Sequence, residues 1–288
     1  MSISVTFWGT RGSIPAPGPA TARYGGNTPC VAVRDAEGHL AVLDAGTGIR
    51  PLGLALDAGG TNGARVDVVL SHTHWDHIQG LPFFRPLHQA GREVRIHGAA
   101  QGGVPLEQIL DRQMDPVVFP VPLKALAARV SVHEIRAAEF ELPGFTVRAH
   151  RLRHPGTTLG FRLTPVGGGP SVAYVTDNEL GPGGTYDVPA TWHRSLEEFL
   201  GGVDVLIHDA MYAPGQIGAR AGWGHSSVDE AVALAGACAA RRLVLFHHEP
   251  ANDDDAVDAL LAGARQAAAH RTGLDVSAAR EGTTLALE

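Results

Sequence analysis

The sequence predicts an α/β protein built on two sheets. Three observations predict it. Short β-branched and apolar runs alternate with segments of helical spacing, the runs after Val130 repeat the pattern of the first half, and several runs stop abruptly at a histidine or an aspartate. At 288 residues the chain can bury a substantial core, and residues 1–288 are expected to form one domain.

In order, Ile3 to Trp8 alternates as a strand and is broken by Gly9-Thr10-Arg11-Gly12-Ser13-Ile14-Pro15, a loop whose backbone N–H groups and Arg11 are open to an anion or simply form a turn. Irregular loop continues through Tyr24 to Pro29. Cys30 to Arg34 and Leu40 to Leu43 read as a hairpin around Glu37-Gly38, ending at Asp44, which either caps the helix Ile49 to Ala58 or orients a ligand histidine. The strand Val66 to Leu70 follows. Gln79 to Gln89 reads as a short helix with a turn at Pro82, Val94 to His97 as a strand, Val104 to Met114 as a helix, and the proline-rich Asp115 to Pro122 as loop. Strands recur at Val130 to Ile135, Phe145 to Leu152, Leu159 to Leu163, Val172 to Thr176, Val205 to Ile207 and Leu243 to Phe246. Helices are expected at Val228 to Ala240, with Ser226 or Ser227 as N-cap, and at Asp253 to His270, before a closing strand near Thr283 to Leu287.

Composition narrows the function. The formal charge of −7 argues against an extended nucleic-acid surface, which needs many lysine and arginine contacts to phosphates. No apolar run can cross a bilayer, and Met1 to Thr10 lacks the features of a signal peptide, so a cytoplasmic protein with no membrane partner is expected. Cys30 and Cys238, far apart in sequence, read as buried reduced thiols.

The chemistry concentrates in Ser71-His72-Thr73-His74-Trp75-Asp76-His77, directly after a strand. In an extended segment residues i and i+2 face one side, so His72 and His74 can address one ion while Asp76 and His77 face a neighbouring one. Imidazole and carboxylate are the usual ligands of catalytic zinc, whereas structural zinc recruits thiolates. His154, Asp177 and His247 also stand where strands end, and His208-Asp209 and His225 follow later. His39, His88, His97, His133, His150, His193 and His270 are read as surface or structural residues, with His150 the rival to His154 and His248 turned away by strand alternation.

His72 to His77 matches the His-x-His-x-Asp-His signature, and the chain resembles the metallo-β-lactamase superfamily over nearly its whole length. The resemblance implies an αβ/βα sandwich, two mixed sheets flanked by helices, with metals at one edge. It implies that His72, His74 and His154 hold one ion, that Asp76, His77 and His247 hold a second, and that Asp177 bridges them. Two divalent ions are expected, zinc first, with manganese or iron as alternatives. Asp44 matches the family's early aspartate.

Within the superfamily, the Gly9-Thr10-Arg11-Gly12-Ser13 loop and His208-Asp209-Ala210 resemble the phosphodiesterase branch, which includes ribonuclease Z and small cyclic phosphodiesterases. There the match of His208 assists proton transfer, so His208 or His225 is the expected proton donor, with Asp76 orienting the attacking water. Arg11, Ser13 and Asn27 are the candidate substrate contacts. Too few residues separate His154 from Asp177 for the ribonuclease's transfer-RNA arm, which favours a small anionic substrate such as a cyclic nucleotide. A homodimer is common among relatives. Competing readings are an acyl hydrolase (lactonase or glyoxalase-type thioesterase), the transfer-RNA ribonuclease itself, and a mononuclear iron dioxygenase.

Overall fold

The computed structural model describes residues 2–59, 65–269 and 273–288. The first half supplies strands β1 (Ile3–Gly9), β2 (Cys30–Asp35), β3 (Leu40–Leu43), β4 (Arg65–Val69), β5 (Glu93–Gly98) and β6 (Arg129–Glu134). The second half supplies β7 (Glu139–Leu142), β8 (Phe145–Arg151), β9 (Leu159–Pro165), β10 (Val172–Val175), β11 (Val205–Asp209), β12 (Arg242–Phe246), β13 (Asp275–Ala278) and β14 (Thr284–Leu287). They form two mixed seven-stranded sheets, β14-β1-β2-β3-β4-β5-β6 and β13-β12-β11-β10-β9-β8-β7. The last strand thus returns to the first sheet, pairing antiparallel with β1.

Alternation dictates the layers. In β1, Ile3, Val5 and Phe7 are buried and meet Phe161, Tyr174, Ile207 and Phe246 of the other sheet in a core between the sheets. The outer face of the first sheet packs Val42, Val66, Val68 and Ile96 against helices α1 (Ile49–Ala58), α2 (Trp75–Ile78) and α3 (Leu106–Gln113). Helices α4 (Trp192–Leu200), α5 (Val228–Ala237) and α6 (Asp254–Ala268) cover the second sheet over Ala173, Leu206, Leu243 and Leu245. Central strands are therefore buried on both faces and read as unbroken apolar runs.

Parallel pairing brings the strand ends together. β3 and β4 run parallel, as do β10, β11 and β12, so Asp44, Ser71, Asp177, Asp209 and His247 all leave strands at one edge of the sandwich. Leu159 N–H donates to the Ser71 carbonyl at 2.9 Å, joining the two sheets at that edge.

Some elements differ from the sequence expectation. Gln79 to Gln89 forms two single 3-10 turns, Leu81–Phe83 and Arg85–His88, each with a proline in its first positions. The strand β7, the helix α4 and the strand β13 were not expected. Ser227, not Ser226, caps α5, with Glu230 completing a capping box. Asp253 caps α6, whose expected end at His270 lies outside the described residues. Cys30 and Cys238 are buried free thiols. Among the described residues, no helix is long and apolar enough to cross a membrane.

Candidate metal centre

The structure brings the seven expected metal ligands into two adjoining groups. His72, His74 and His154 form one, and Asp76, His77, Asp177 and His247 the other, each with its ligand atoms within 4.8 Å of one another. Asp177 reaches both: Oδ1 lies 3.1 Å from the Nε2 atoms of His77 and His247, and Oδ2 lies 3.6 Å from the Nε2 atoms of His72 and His154. Asp76 Oδ2 stands 3.2 Å from both His77 Nε2 and His247 Nε2.

The far nitrogens of three rings are tied down, which fixes their tautomers. His77 Nδ1 donates to Asp44 Oδ2 at 2.7 Å, His154 Nδ1 to the Gly224 carbonyl at 2.9 Å, and His72 Nδ1 to Ser71 Oγ at 3.0 Å. Asp44 also accepts from Ser71 N–H, Ser71 Oγ and the Tyr174 hydroxyl. It therefore orients ligands and does not cap α1, whose N-cap is Gly48.

The residues fit divalent cations. The Nε2 atoms of His72 and His77 are buried with no hydrogen-bond partner, each aimed into an acceptor-rich cluster. Buried acceptors without donors are what a metal ion satisfies. Burial, reinforced by His77, holds the His72 imidazole far below its ordinary pKa; burial likewise holds His154 down to about 4 and lowers His74. These rings stay neutral, as ligands must. Burial opposes charge on Asp177 and Asp76, yet the surrounding imidazoles keep both carboxyls well below the usual carboxylate range. At His77 the burial cost is overcome by Asp177, Asp76 and Asp44, which raise it well above its ordinary value. The cluster favours positive charge at that point.

The backbone is bent to aim these groups. Asp44, Asp177, His247 and Ser13 have φ of 61°, 44°, 60° and 60°; only Ala239 shares this conformation among the other described non-glycine residues. Each such residue costs about 1–3 kcal/mol, so the clustering marks where packing enforces geometry for function. Gly12 lies so close to the His247 ring, and Gly224 to His154 Nδ1, that a Cβ at either would displace a ligand.

The proton-donor candidates separate. His225 Nδ1 lies 2.7 Å from Asp209 Oδ2, and its ring stacks on His247 with centroids 5.0 Å apart and sits 5.2 Å from His154. Burial works against charge on this ring, but Asp209 lifts it to about 9. His208 is a correction. It is fully buried, with Nδ1 donating to the Asp209 carbonyl at 2.6 Å and Nε2 accepting from Asn178 at 3.2 Å. Strand alternation turns it with Leu206 toward the helix-covered face and gives the site face to Asp209.

Arg11 is a second correction. Its guanidinium is buried and donates to the carbonyls of Gly25, Glu249 and Asn252 at 2.8, 3.2 and 2.6 Å, stitching three loops together instead of meeting an anion. Asn27 is bound to Glu281 through its backbone N–H and its amide, so it too serves the loop. Ser13 stays exposed at the rim, its N–H donating to Asp76 Oδ2 at 2.8 Å. His150 bonds to Ser195 Oγ and His248 to the Ala279 carbonyl, both away from the cluster. His270 lies outside the described residues.

Two further residues serve the site without a role assigned to them from the sequence. Asp209 is one, and its position one residue after a histidine at a strand end was the available signal. Glu179 is the other: buried, it accepts from Gly222 N–H at 2.9 Å, Gly224 N–H at 3.0 Å and the Tyr186 hydroxyl at 2.7 Å. It holds the loop that carries the Gly224 carbonyl and His225.

A family profile described as a beta-lactamase superfamily domain matches residues 41–248, which hold every proposed ligand. The chain belongs to that superfamily. It is 26% identical to a ribonuclease Z of Natronomonas pharaonis over 288 residues, covering 86% of this chain and 87% of that one. In fold it is similar to a diphosphatase of the PhnP family, with TM-score 0.67 and 21% identity, over 100% of this chain and 98% of that one. It is also similar to unliganded yeast PDE1, with TM-score 0.70 and 14% identity, over 98% and 99%.

Proposed function

We propose that this protein is a dinuclear metal-dependent phosphodiesterase acting on small phosphodiesters, cyclic nucleotides among them. The observation that carries the reading is Asp177, whose two oxygens face the two ligand groups. His72, His74 and His154 would hold one ion and Asp76, His77 and His247 the other, with Asp177 shared. Zinc, manganese or iron bound there would supply Lewis acidity, lowering the pKa of a water and neutralising phosphate oxygens. The chain's own residues do the rest. Ser13 N–H steadies Asp76, which orients the water. Asp209 fixes His225 with Nδ1 protonated, leaving Nε2 to pass a proton to the departing alkoxide.

Relatives named ribonuclease Z, a diphosphatase and PDE1 support a phosphate ester as substrate. Small size is supported by the segment between His154 and Asp177, in which β9 and β10 are joined by residues 166–171 alone, and by the net charge of −7. The test is a metal-loaded panel of bis(p-nitrophenyl) phosphate, cyclic nucleotides, precursor transfer RNA, a lactone and a glutathione thioester. Turnover of the first two, abolished in His74→Ala, is expected. Turnover confined to the lactone or thioester would replace this reading with an acyl hydrolase.

A further inference from the structure

The loop that carries the metal ligands also walls a second cavity. Thr73 and Trp75, the neighbours of His74 in sequence, line it together with Phe83, Ile109, Arg112 and Phe119, around a volume of about 490 Å³. His74, the exposed member of its ligand group, stands between Thr73 and Trp75 in the chain, which sets the cavity beside the centre. Volume and lining match a small-molecule pocket, apolar and aromatic with few polar groups.

Three features say what it would hold. Trp75 is 81% exposed and Phe83 60%, large aromatic surfaces left uncovered beside a reactive centre. Phe83 and Phe119 meet edge to face with centroids 5.5 Å apart, and Gln113 Nε2 donates to the Ile78 carbonyl at 2.7 Å, so the walls are braced. The Arg112 side chain is exposed at the lining and, among the described residues, its guanidinium makes no hydrogen bond or ion pair. Aromatic faces with one unspent guanidinium suit a flat ring bearing acceptor atoms. A purely aliphatic group would leave the guanidinium unused.

We propose that this cavity binds a nucleobase-sized aromatic substituent of the phosphodiester, stacked on Trp75 and Phe83, with Arg112 donating to its acceptor edge. The proposal rests on the phosphodiesterase reading and adds specificity to it. Thymidine 5′-(p-nitrophenyl phosphate) and methyl p-nitrophenyl phosphate lose the same leaving group and differ only in the other substituent. The native protein is expected to prefer the thymidine ester in kcat/KM, and Phe83→Ala and Arg112→Ala to shrink that preference about tenfold each, the order of one lost stacking contact. No native preference, or equal losses on both esters, would overturn the pocket while leaving the phosphodiesterase standing. Sedimentation of the same variants supplies a further check: dissociation of a native dimer would reassign the face to a subunit contact. If neither ester is hydrolysed the functional reading falls by itself. A fluorescence titration with adenosine 5′-monophosphate then decides the pocket, with quenching expected in the native protein and lost in Trp75→Phe. Absence of quenching would overturn it.

Discussion

His225 and Asp177 stand a few ångströms apart and should fail in different ways. In the proposed mechanism His225 supplies a proton, held ready by Asp209, and is not among the seven proposed ligands. His225→Ala is therefore expected to keep its metal content by elemental analysis while kcat on an alkyl ester falls ~10²–10⁴-fold, the usual range for a lost acid. Esters of p-nitrophenol should lose much less, because that leaving group departs without a proton. Equal losses on both esters would remove His225 from the proton-transfer role. Asp44 acts one step further out, through its 2.7 Å bond to His77 Nδ1. Asp44→Asn is expected to weaken metal binding by about 10–100-fold, measured by competition with a chelator, as replacement of a carboxylate behind a ligand histidine generally does.

Glu179 extends that logic from a side chain to a loop. Its carboxylate gathers the N–H groups of Gly222 and Gly224, so the carbonyl that orients His154 and the adjoining His225 are set by one buried anion. Glu179→Gln keeps one acceptor and should retain a folded protein with weakened metal binding; Glu179→Ala should lose more, and metal affinity is the measurement. Within the first sheet, Asp67 in β4 accepts from Arg65 at 2.6 Å and His97 in β5 at 2.8 Å. Burial alone would raise this carboxyl, but His97 and Arg65 hold it below the usual value. A depressed carboxyl stabilises the fold above its unfolded pKa and loses that contribution as pH falls through the folded one. Asp67→Asn is thus expected to cost about 3 kcal/mol near pH 7 by urea unfolding, with the gap to the native protein closing below about pH 4.

The same elements show what the chain made legible. Strands buried on both faces announce themselves as apolar runs, and those that end at ligands were readable along with the histidine motif. β13, with Val276 as its buried apolar residue, carries too little pattern. In α4 the buried set Trp192, Leu196, Phe199 and Leu200 does follow helical spacing, and it was missed because glycine- and proline-rich loop precedes it. Arg11 and His208 depart from the sequence expectation for another reason. Whether an arginine meets solvent or three loop carbonyls, and which face a strand-end histidine takes, is settled by partners hundreds of residues away or by the register of the neighbouring strand.

The centre also joins the two halves of the sandwich. His72 to His77 extend from the end of β4 in the first sheet, whereas His154, Asp177 and His247 follow β8, β10 and β12 in the second, so each ligand group draws on both sheets. Metal bound there would act as a clasp across the edge where both sheets are bent into strained backbone. Without it, Asp76, Asp177 and Asp44 crowd His77, with the uncovered nitrogens of the other rings alongside. Ions that bind only the folded chain stabilise it by mass action, by about 4 kcal/mol when free metal exceeds Kd a thousandfold. For a chain of this length that is roughly 10 °C in Tm. Chelation of the loaded protein is expected to lower Tm by that order, read by calorimetry, whereas Asp177→Asn should start lower and respond little to chelator. A native Tm unmoved by chelation would mean that the fold holds this edge closed by itself, and that the clasp contributes only to chemistry.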